Sequence, residues 1–305
     1  MIEPYARIRI NGVRLKIRQD YEKLLNHRFE DVIQSYDSRD TILYALSLGL
    51  GSAHLDPDEL KYVYERDLQV FPTMAVILGH PGAWMREHDS GIDMRQVLHG
   101  EQHLEILQPL PPAGTVIGRS RVVEIIDKGL EKGALIVLER RLFDQEGERL
   151  LSIQHSVIVT RANGGFCGPV TAAPPAHPLP ERKPDWTIDI ATSTRAALLY
   201  RLNGDYNPLH VDPDVARMAG FSAPILHGLA SYGVAARAVL MACADQPQAH
   251  LLSFGVRFSA PVYPGETIRT DVWREREEIS FRSRVVARGN ITVLNNGRAV
   301  VRGES

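Results

Sequence analysis

The chain carries one ordered pattern twice, and this repetition constrains its fold more than any other feature. In the first half Tyr44 precedes His54-Leu55-Asp56-Pro57; in the second, at the same spacing, Tyr200 precedes His210-Val211-Asp212-Pro213. Further on, the segment from Gln108 to Thr115, with Pro109, Pro111, Pro112 and Gly114, is answered by Ala260 to Thr267, with Pro261, Pro264 and Gly265. Two matches in the same order mark a duplicated domain. The length of 305 residues agrees, being twice a typical domain of about 150. Residues 163–180 are rich in Gly and Pro and lack helical or strand periodicity, so they are expected to be a linker. The expected division is a hairpin extension (1–22), a first domain (23–162), the linker (163–180) and a second domain (181–305).

Local signals give each half the same content. Asp56 and Asp212 suit helix N-caps, each followed by proline where a missing N–H costs nothing, and Glu59 is placed to complete a capping box. Gly220 is placed to end the helix begun at Pro213, and a longer helix is expected from Pro224 to about Ala244. Strands are expected over 116–126, 134–143, 149–160, 251–258, 267–273, 279–287 and 291–301. Asn296-Gly297 reads as a tight hairpin turn, and Asn11-Gly12 as another in the extension. A long helix followed by antiparallel strands, in each repeat, predicts an α+β fold in which a sheet wraps the helix.

Bulk properties exclude several functions. The net charge is -2, with 35 basic against 37 acidic residues, so no general attraction to nucleic acid or an anionic membrane is expected. The apolar run from Ala223 to Ala244 contains His227 and Arg237 and reads as a buried helix rather than a membrane span. Two cysteines without paired spacing, Cys167 and Cys243, suit a reducing compartment. Neither end of the chain shows a secretory or peroxisomal signal, so a cytoplasmic location is expected.

The chemistry concentrates in Gly204-Asp205-Tyr206-Asn207-Pro208-Leu209-His210. Gly204 and Pro208 disfavour a continuous helix, so a bent loop can turn the carboxylate and the imidazole toward one point. A water between them has a base for one proton and an acid beside the carbon, as addition across a C=C bond requires. The same spacing fits a plainer role, with Asp205 as a turn residue and His210 half-buried in packing. Downstream, Pro224-Ile225-Leu226-His227-Gly228 opens the long helix, where the first N–H groups lack intrahelical acceptors. Without a Cβ, Gly228 lets a ligand carbonyl approach its amide, or lets the helix pack closely; His227 is expected to fill the core. His99-Gly100-Glu101-Gln102-His103 is not a zinc helix, because its glutamate is displaced and Gly100 disfavours helix, and no metal is expected.

In these residues the second half resembles the MaoC-like hydratases, also called hydratase 2. The likeness rests on Tyr200, Gly204-Asp205, Asn207-Pro208-Leu209-His210, Gly220-Phe221 and Pro224-Ile225-Leu226-His227-Gly228. The first half is similar to the N-terminal domain of their two-domain members through residues 44–51, 58–65, 71–79 and 98–104, so the resemblance covers about residues 24–305. It implies a double hotdog fold, often dimeric, that hydrates trans-2-enoyl-CoA to (3R)-3-hydroxyacyl-CoA. It also implies no cofactor beyond the CoA of the acyl-thioester substrate. It assigns Asp205 and His210 as the catalytic pair, Asn207 to holding the water and the histidine, and Tyr200 to lining the site. The first half is expected to shape the acyl tunnel; it keeps His54, but Gly49 stands where the repeat places Asp205, so one site per chain follows. His210 as base and Asp205 as acid is the preferred order, for which Asp205 would need burial in an apolar pocket; the reverse order also fits. Arg257, Arg282 and Arg284 are candidates for the CoA phosphates. The alternatives are a hotdog thioesterase and a non-catalytic acyl-CoA-binding subunit.

Overall fold

A computed structural model of the chain describes residues 9–10, 13–14, 21–52, 56–87, 92–161, 164–166, 172–245 and 249–303. Among the described residues, strands β1 (Arg9–Ile10) and β2 (Val13–Arg14) pair only with each other, Ile10 opposite Val13. This is the expected hairpin, although Asn11 and Gly12 themselves lie outside the described residues, as do His54 and Cys167.

The first half continues with α1 (Tyr21–Leu25), β3 (Val32–Tyr36), α2 (Ser38–Ser47), α3 (Pro57–Leu60), a 3-10 turn (Pro72–Val76) and α4 (Trp84–Glu87). Then come β4 (Val97–Ile106), β5 (Gly114–Asp127), β6 (Ala134–Asp144) and β7 (Leu150–Thr160). The second half has β8 (Trp186–Ala191), α5 (Ala196–Tyr200), α6 (Pro213–Met218), α7 (Gly228–Met241), β9 (His250–Phe258), β10 (Thr267–Glu275), β11 (Glu278–Val285) and β12 (Ile291–Arg302). Ten strands form one antiparallel sheet in the order β3-β5-β6-β7-β4-β9-β12-β11-β10-β8. Reading inward from either edge gives the same connectivity: the first strand of each half pairs with its third, then the fourth, fifth and second. The two second strands meet at the centre, Glu101 opposite Arg257 and Glu105 opposite Ser253. The duplication in the sequence is therefore a duplication in space.

The second half wraps its sheet around α7, as expected. All ten residues from Ala230 to Val239 are buried, which marks a helix enclosed on every side. Its small residues permit this: a Cβ on Gly233 would sit 2.6 Å from the Leu48 side chain. In the first half the expected long helix is replaced by the single 3-10 turn at Pro72–Val76. Gly79 and Gly82 adopt positive φ (60° and 70°), and Gly79 crosses so close to Gly118 that a Cβ there would lie 2.7 Å from its Cα. In the helix's absence, side chains from the sheet reach the turn: Arg140 donates to the Val76 carbonyl (2.5 Å) and Gln154 to that of Ala75 (2.6 Å).

Three further expectations are corrected. The long helix starts at Gly228, not Pro224, because Leu226 N–H donates to the Val262 carbonyl (2.7 Å) and His227 has an extended ψ of 136°. Asn296-Gly297 is not a turn. β12 runs through it with a register shift, Asn296 taking φ 54° and Gly297 accommodating the Phe281 ring, which a Cβ would meet at 2.6 Å. Glu59 forms no capping box. Asp56 caps α3 alone through Asp58 N–H, while Glu59 accepts from Gly51 N–H (2.9 Å) and from Arg237.

That last contact joins the halves. Arg237, 7 % exposed on α7, bonds to Glu59, to the Gly49 carbonyl (3.0 Å) and to Ser52 Oγ (3.2 Å). Removing one member of a buried ion pair leaves the other charge uncompensated, at a cost of about 3–5 kcal/mol. We therefore expect Arg237→Ala to lower the unfolding free energy by about that amount in denaturant titrations; a loss near the surface-pair range of about 1 kcal/mol would contradict the buried pairing.

Candidate active site

A succession of short polar side chains shapes the loop before α6. The turn after α5 stops at Gly204, whose φ of 113° only glycine adopts readily. Asp205 Oδ1 accepts from Asn207 N–H (3.1 Å), and Asn207 Oδ1 accepts from Leu209 N–H (3.2 Å), capping a one-turn 3-10 segment at Pro208–His210. Asp212 then caps α6 through the N–H groups of Asp214 and Val215. α6 ends in a Schellman motif at Gly220, with Phe221 N–H bonded to the Ala216 carbonyl and Gly220 N–H to that of Arg217. The chain is thus returned to the head of α7, opposite the loop it has just left.

There the expected pair comes together. His210 is 8 % exposed, and its Nδ1–H donates to the Ile225 carbonyl (2.8 Å). A carbonyl can only accept, so the neutral ring carries its proton on Nδ1 and leaves the Nε2 lone pair free. Donor atoms of Asp205, His210 and His227 all lie within 4.8 Å of one another, a spacing that one water spans. The His227 ring stacks on His210, centroids 3.7 Å apart at 24°, and its Nε2–H donates to the Asp205 backbone carbonyl (3.2 Å). His227, expected only to fill the core, is the brace between the two catalytic candidates.

The remaining residues fall into place around this group. Tyr200 is 1 % exposed and packs against His227 (5.0 Å between centroids), so it supports the ring pair from within the core. The exposed Gly228 is the first residue of α7, where amides have no intrahelical acceptor; the Phe258 ring lies 3.3 Å from where its Cβ would be. The missing Cβ therefore serves close packing as well as access to the amide. From the first half, the His99 ring lies 4.8 Å from Phe258, with Nε2 buried and unpartnered.

Burial dominates the electrostatics. It holds the His210 imidazole below its ordinary range, opposed by the Ile225 carbonyl and the charge of Asp205. His227 is pushed down to about 4 by burial first and by neighbouring His210 second, and burial takes His99 to about 4. Near pH 7 these rings are neutral, as a base requires. Asp205 departs from expectation: its side chain is 55 % exposed, not enclosed in an apolar pocket, because residues 204–206 form the crest of the loop.

One other expectation changes. Arg282 and Arg284 both bond to Asp271 Oδ2 (3.2 and 2.7 Å) on the sheet face away from α7, and Arg257 is bound to Glu101. Arg282 and Arg284 share the buried Asp271 carboxylate and are poor phosphate ligands, whereas the Arg257 pair is partly exposed. As for metals, donor atoms of Asp205, His210 and His227 lie close enough to share one ion, but His227 Nε2 is committed to the Asp205 carbonyl and His210 Nδ1 to that of Ile225. The group suits a small neutral molecule held between acid and base. In the first repeat the corresponding Gly49 faces the Arg237 guanidinium, with no carboxylate in that place.

Comparison with known proteins gives the family and the fold. A MaoC like domain matches residues 175–296, and the MFE-2 hydratase 2 N-terminal domain matches residues 34–161. A probable enoyl-CoA hydratase 2 of Dictyostelium discoideum is 37 % identical, the match covering 92 % of this chain and 96 % of that protein. The peroxisomal multifunctional enzyme type 2 of Drosophila melanogaster is 36 % identical over 92 % of this chain, which spans only about half (48 %) of that protein. The crystal structure of a MaoC-like dehydratase from Phytophthora capsici superposes with a TM-score of 0.81 at 33 % identity, covering 94 % of this chain and all of that one. The architecture is the double hotdog.

The buried imidazoles give a pH dependence of definite sign. Unfolded histidines take up protons near pH 6.5, but the folded His99 and His227 refuse them down to about 4. Stability is thus greatest above about 6.5 and is lost as pH falls from there toward about 4. Thermal melts are expected to show a falling Tm between about pH 7 and about pH 5; a flat or rising Tm would contradict the buried, neutral rings.

Proposed function

Because the chain belongs to the MaoC-like dehydratases, in their two-repeat hydratase 2 form, we propose that it reversibly hydrates trans-2-enoyl-CoA to (3R)-3-hydroxyacyl-CoA. The observation that carries this reading is the bond from His210 Nδ1–H to Ile225, which leaves the Nε2 lone pair unprotonated on a ring that has a nitrogen within 4.8 Å of an Asp205 carboxylate oxygen. The water loses a proton to His210 Nε2 as its oxygen adds to C3 of the enoyl group. The π pair moves toward C2 and the thioester oxygen, where the Gly228 amide at the head of α7 meets the growing negative charge. The proton that His210 has taken from the water is relayed through Asp205 to C2 from the same side, so addition is syn and both groups end as they began. Asn207 steadies the loop and its water, while Tyr200, expected to line the site, is buried and braces the rings that face the substrate. No group beyond the CoA of the substrate is required.

Hotdog folds also serve thioester hydrolysis, and one assay separates the two. With crotonyl-CoA, hydration removes the enoyl absorbance without releasing thiol, while thiol release would replace this reading with a thioesterase. Asp205→Asn and His210→Gln are each expected to lower kcat by about 10²–10⁴ with melting behaviour unchanged, the range for lost general acid–base catalysis. Activity within tenfold of the parent in either variant would remove the assigned pair. Among the described residues no helix is long and apolar enough to cross a membrane. We take the chain as a cytoplasmic homodimer, for which the buried free thiol of Cys243 supports the reducing compartment and light scattering gives the mass.

A further inference from the structure

The palindromic sheet assigns every feature of the catalytic mouth a counterpart at the other end of the central strand pair. The catalytic mouth is built from the head of α7, the end of β9 at Phe258, the start of β4 at His99 and the loop before α6. The counterparts are the head of the 3-10 turn at Pro72, the end of β4 at Ile106, the start of β9 and the region of α3. β9 alone separates the two ends by about 26 Å. A cavity of about 1010 Å³ opens there, and neither Asp205 nor His210 lines it.

Its walls are mainly aliphatic, with Ile106, Pro72 and Leu252 among them, and two cations, Lys61 and Arg302, stand in its lining. Each cation is paired with an exposed carboxylate: Lys61 with Asp58 (3.1 Å) and Arg302 with Glu277 (3.1 Å). Exposed pairs of this kind contribute about 0–1 kcal/mol, so a ligand anion displaces the partner at little cost. The volume is at the upper end of small-molecule pockets, about 300–1,000 Å³. The chemistry of the catalytic loop has no counterpart here, since Gly49 replaces the acid and Arg237 holds its carbonyl.

We propose that this cavity is a second, non-catalytic site that binds an aliphatic acyl chain bearing an anionic head, the chain against Ile106 and Leu252 and the head at Lys61 and Arg302. The ligand class follows from the pairing with the catalytic mouth and so rests on the proposed function; the binding itself does not.

The test is titration calorimetry of the full chain with two saturated probes that cannot be hydrated, dodecanoate and dodecanoyl-CoA. Binding of dodecanoate at one equivalent per chain, or of dodecanoyl-CoA at two (one of them catalytic), supports the proposal and tells a free carboxylate from a thioester as the source. Ala249→Trp, which fills the cavity at its partly buried edge, is expected to remove one equivalent and leave kcat for crotonyl-CoA unchanged. The double charge reversal Lys61→Glu/Arg302→Glu is expected to weaken the same equivalent at least about tenfold, and does so even if Ala249→Trp folds poorly. No dodecanoate binding together with a single equivalent of dodecanoyl-CoA would overturn the proposal. So would stoichiometries and affinities unchanged in both variants, or a halved mass in Ala249→Trp, which would give the cavity to a second copy of the chain. Failure of the proposed function would appear differently, as absent turnover of crotonyl-CoA by the parent while dodecanoate still bound.

Discussion

Two hydrogen bonds between the catalytic loop and the entry to α7 set everything else in the site. His210 Nδ1–H reaches back to the Ile225 carbonyl, and His227 Nε2–H reaches forward to the Asp205 carbonyl. Each crosses in the opposite sense, so loop and helix entry cannot slide past one another without breaking both. The first bond fixes the tautomer that the proposed base needs; the second fixes the backbone carrying the proposed acid. Both depend on residues 224–227 staying extended, which the bond from Leu226 N–H to Val262 secures. A helix begun at Pro224 would turn the Ile225 carbonyl into its own ladder and remove the acceptor that His210 needs.

The duplicated architecture has been resolved into unlike halves. One sheet serves both, but only the second half keeps a central helix, and a single cation on that helix, Arg237, occupies the place in the first half where a carboxylate would complete another site. Glu59 neutralises that cation, which explains why a residue placed for a capping box is found buried instead. The first half retains the framework, and the proposed chemistry lies in the second.

Much of this was legible in the residues, and the exceptions share a cause. The caps at Asp56 and Asp212, the Gly220 stop and the strand runs are set by local chemistry that neighbours do not override. So is the bend at Gly204 and Pro208, which brings Asp205 and His210 together. Asn296-Gly297 is locally an ideal turn, yet the ladder with β11 carries through it, because Phe281 needs the room that only Gly297 leaves. Pro72 starts a helix that Gly79 and its contact with Gly118 end almost at once. Arg282 and Arg284 look like free cations until β10 sets Asp271 between them. His227 looks like core because it is core; its partner is a backbone carbonyl, which no spacing rule marks. Each miss was a contact between segments distant along the chain, where local pattern carries no information.

The central claim is that Asp205 and His210 act as one unit on one water. A kinetic double-mutant cycle with Asp205→Asn, His210→Gln and the combined variant tests it most directly, with kcat measured in single turnovers on an enoyl-CoA. Groups that share one reacting molecule lose their effect together, so the double variant is predicted to match the slower single variant within about threefold. Losses that multiply would show two groups working independently, and would contradict the account.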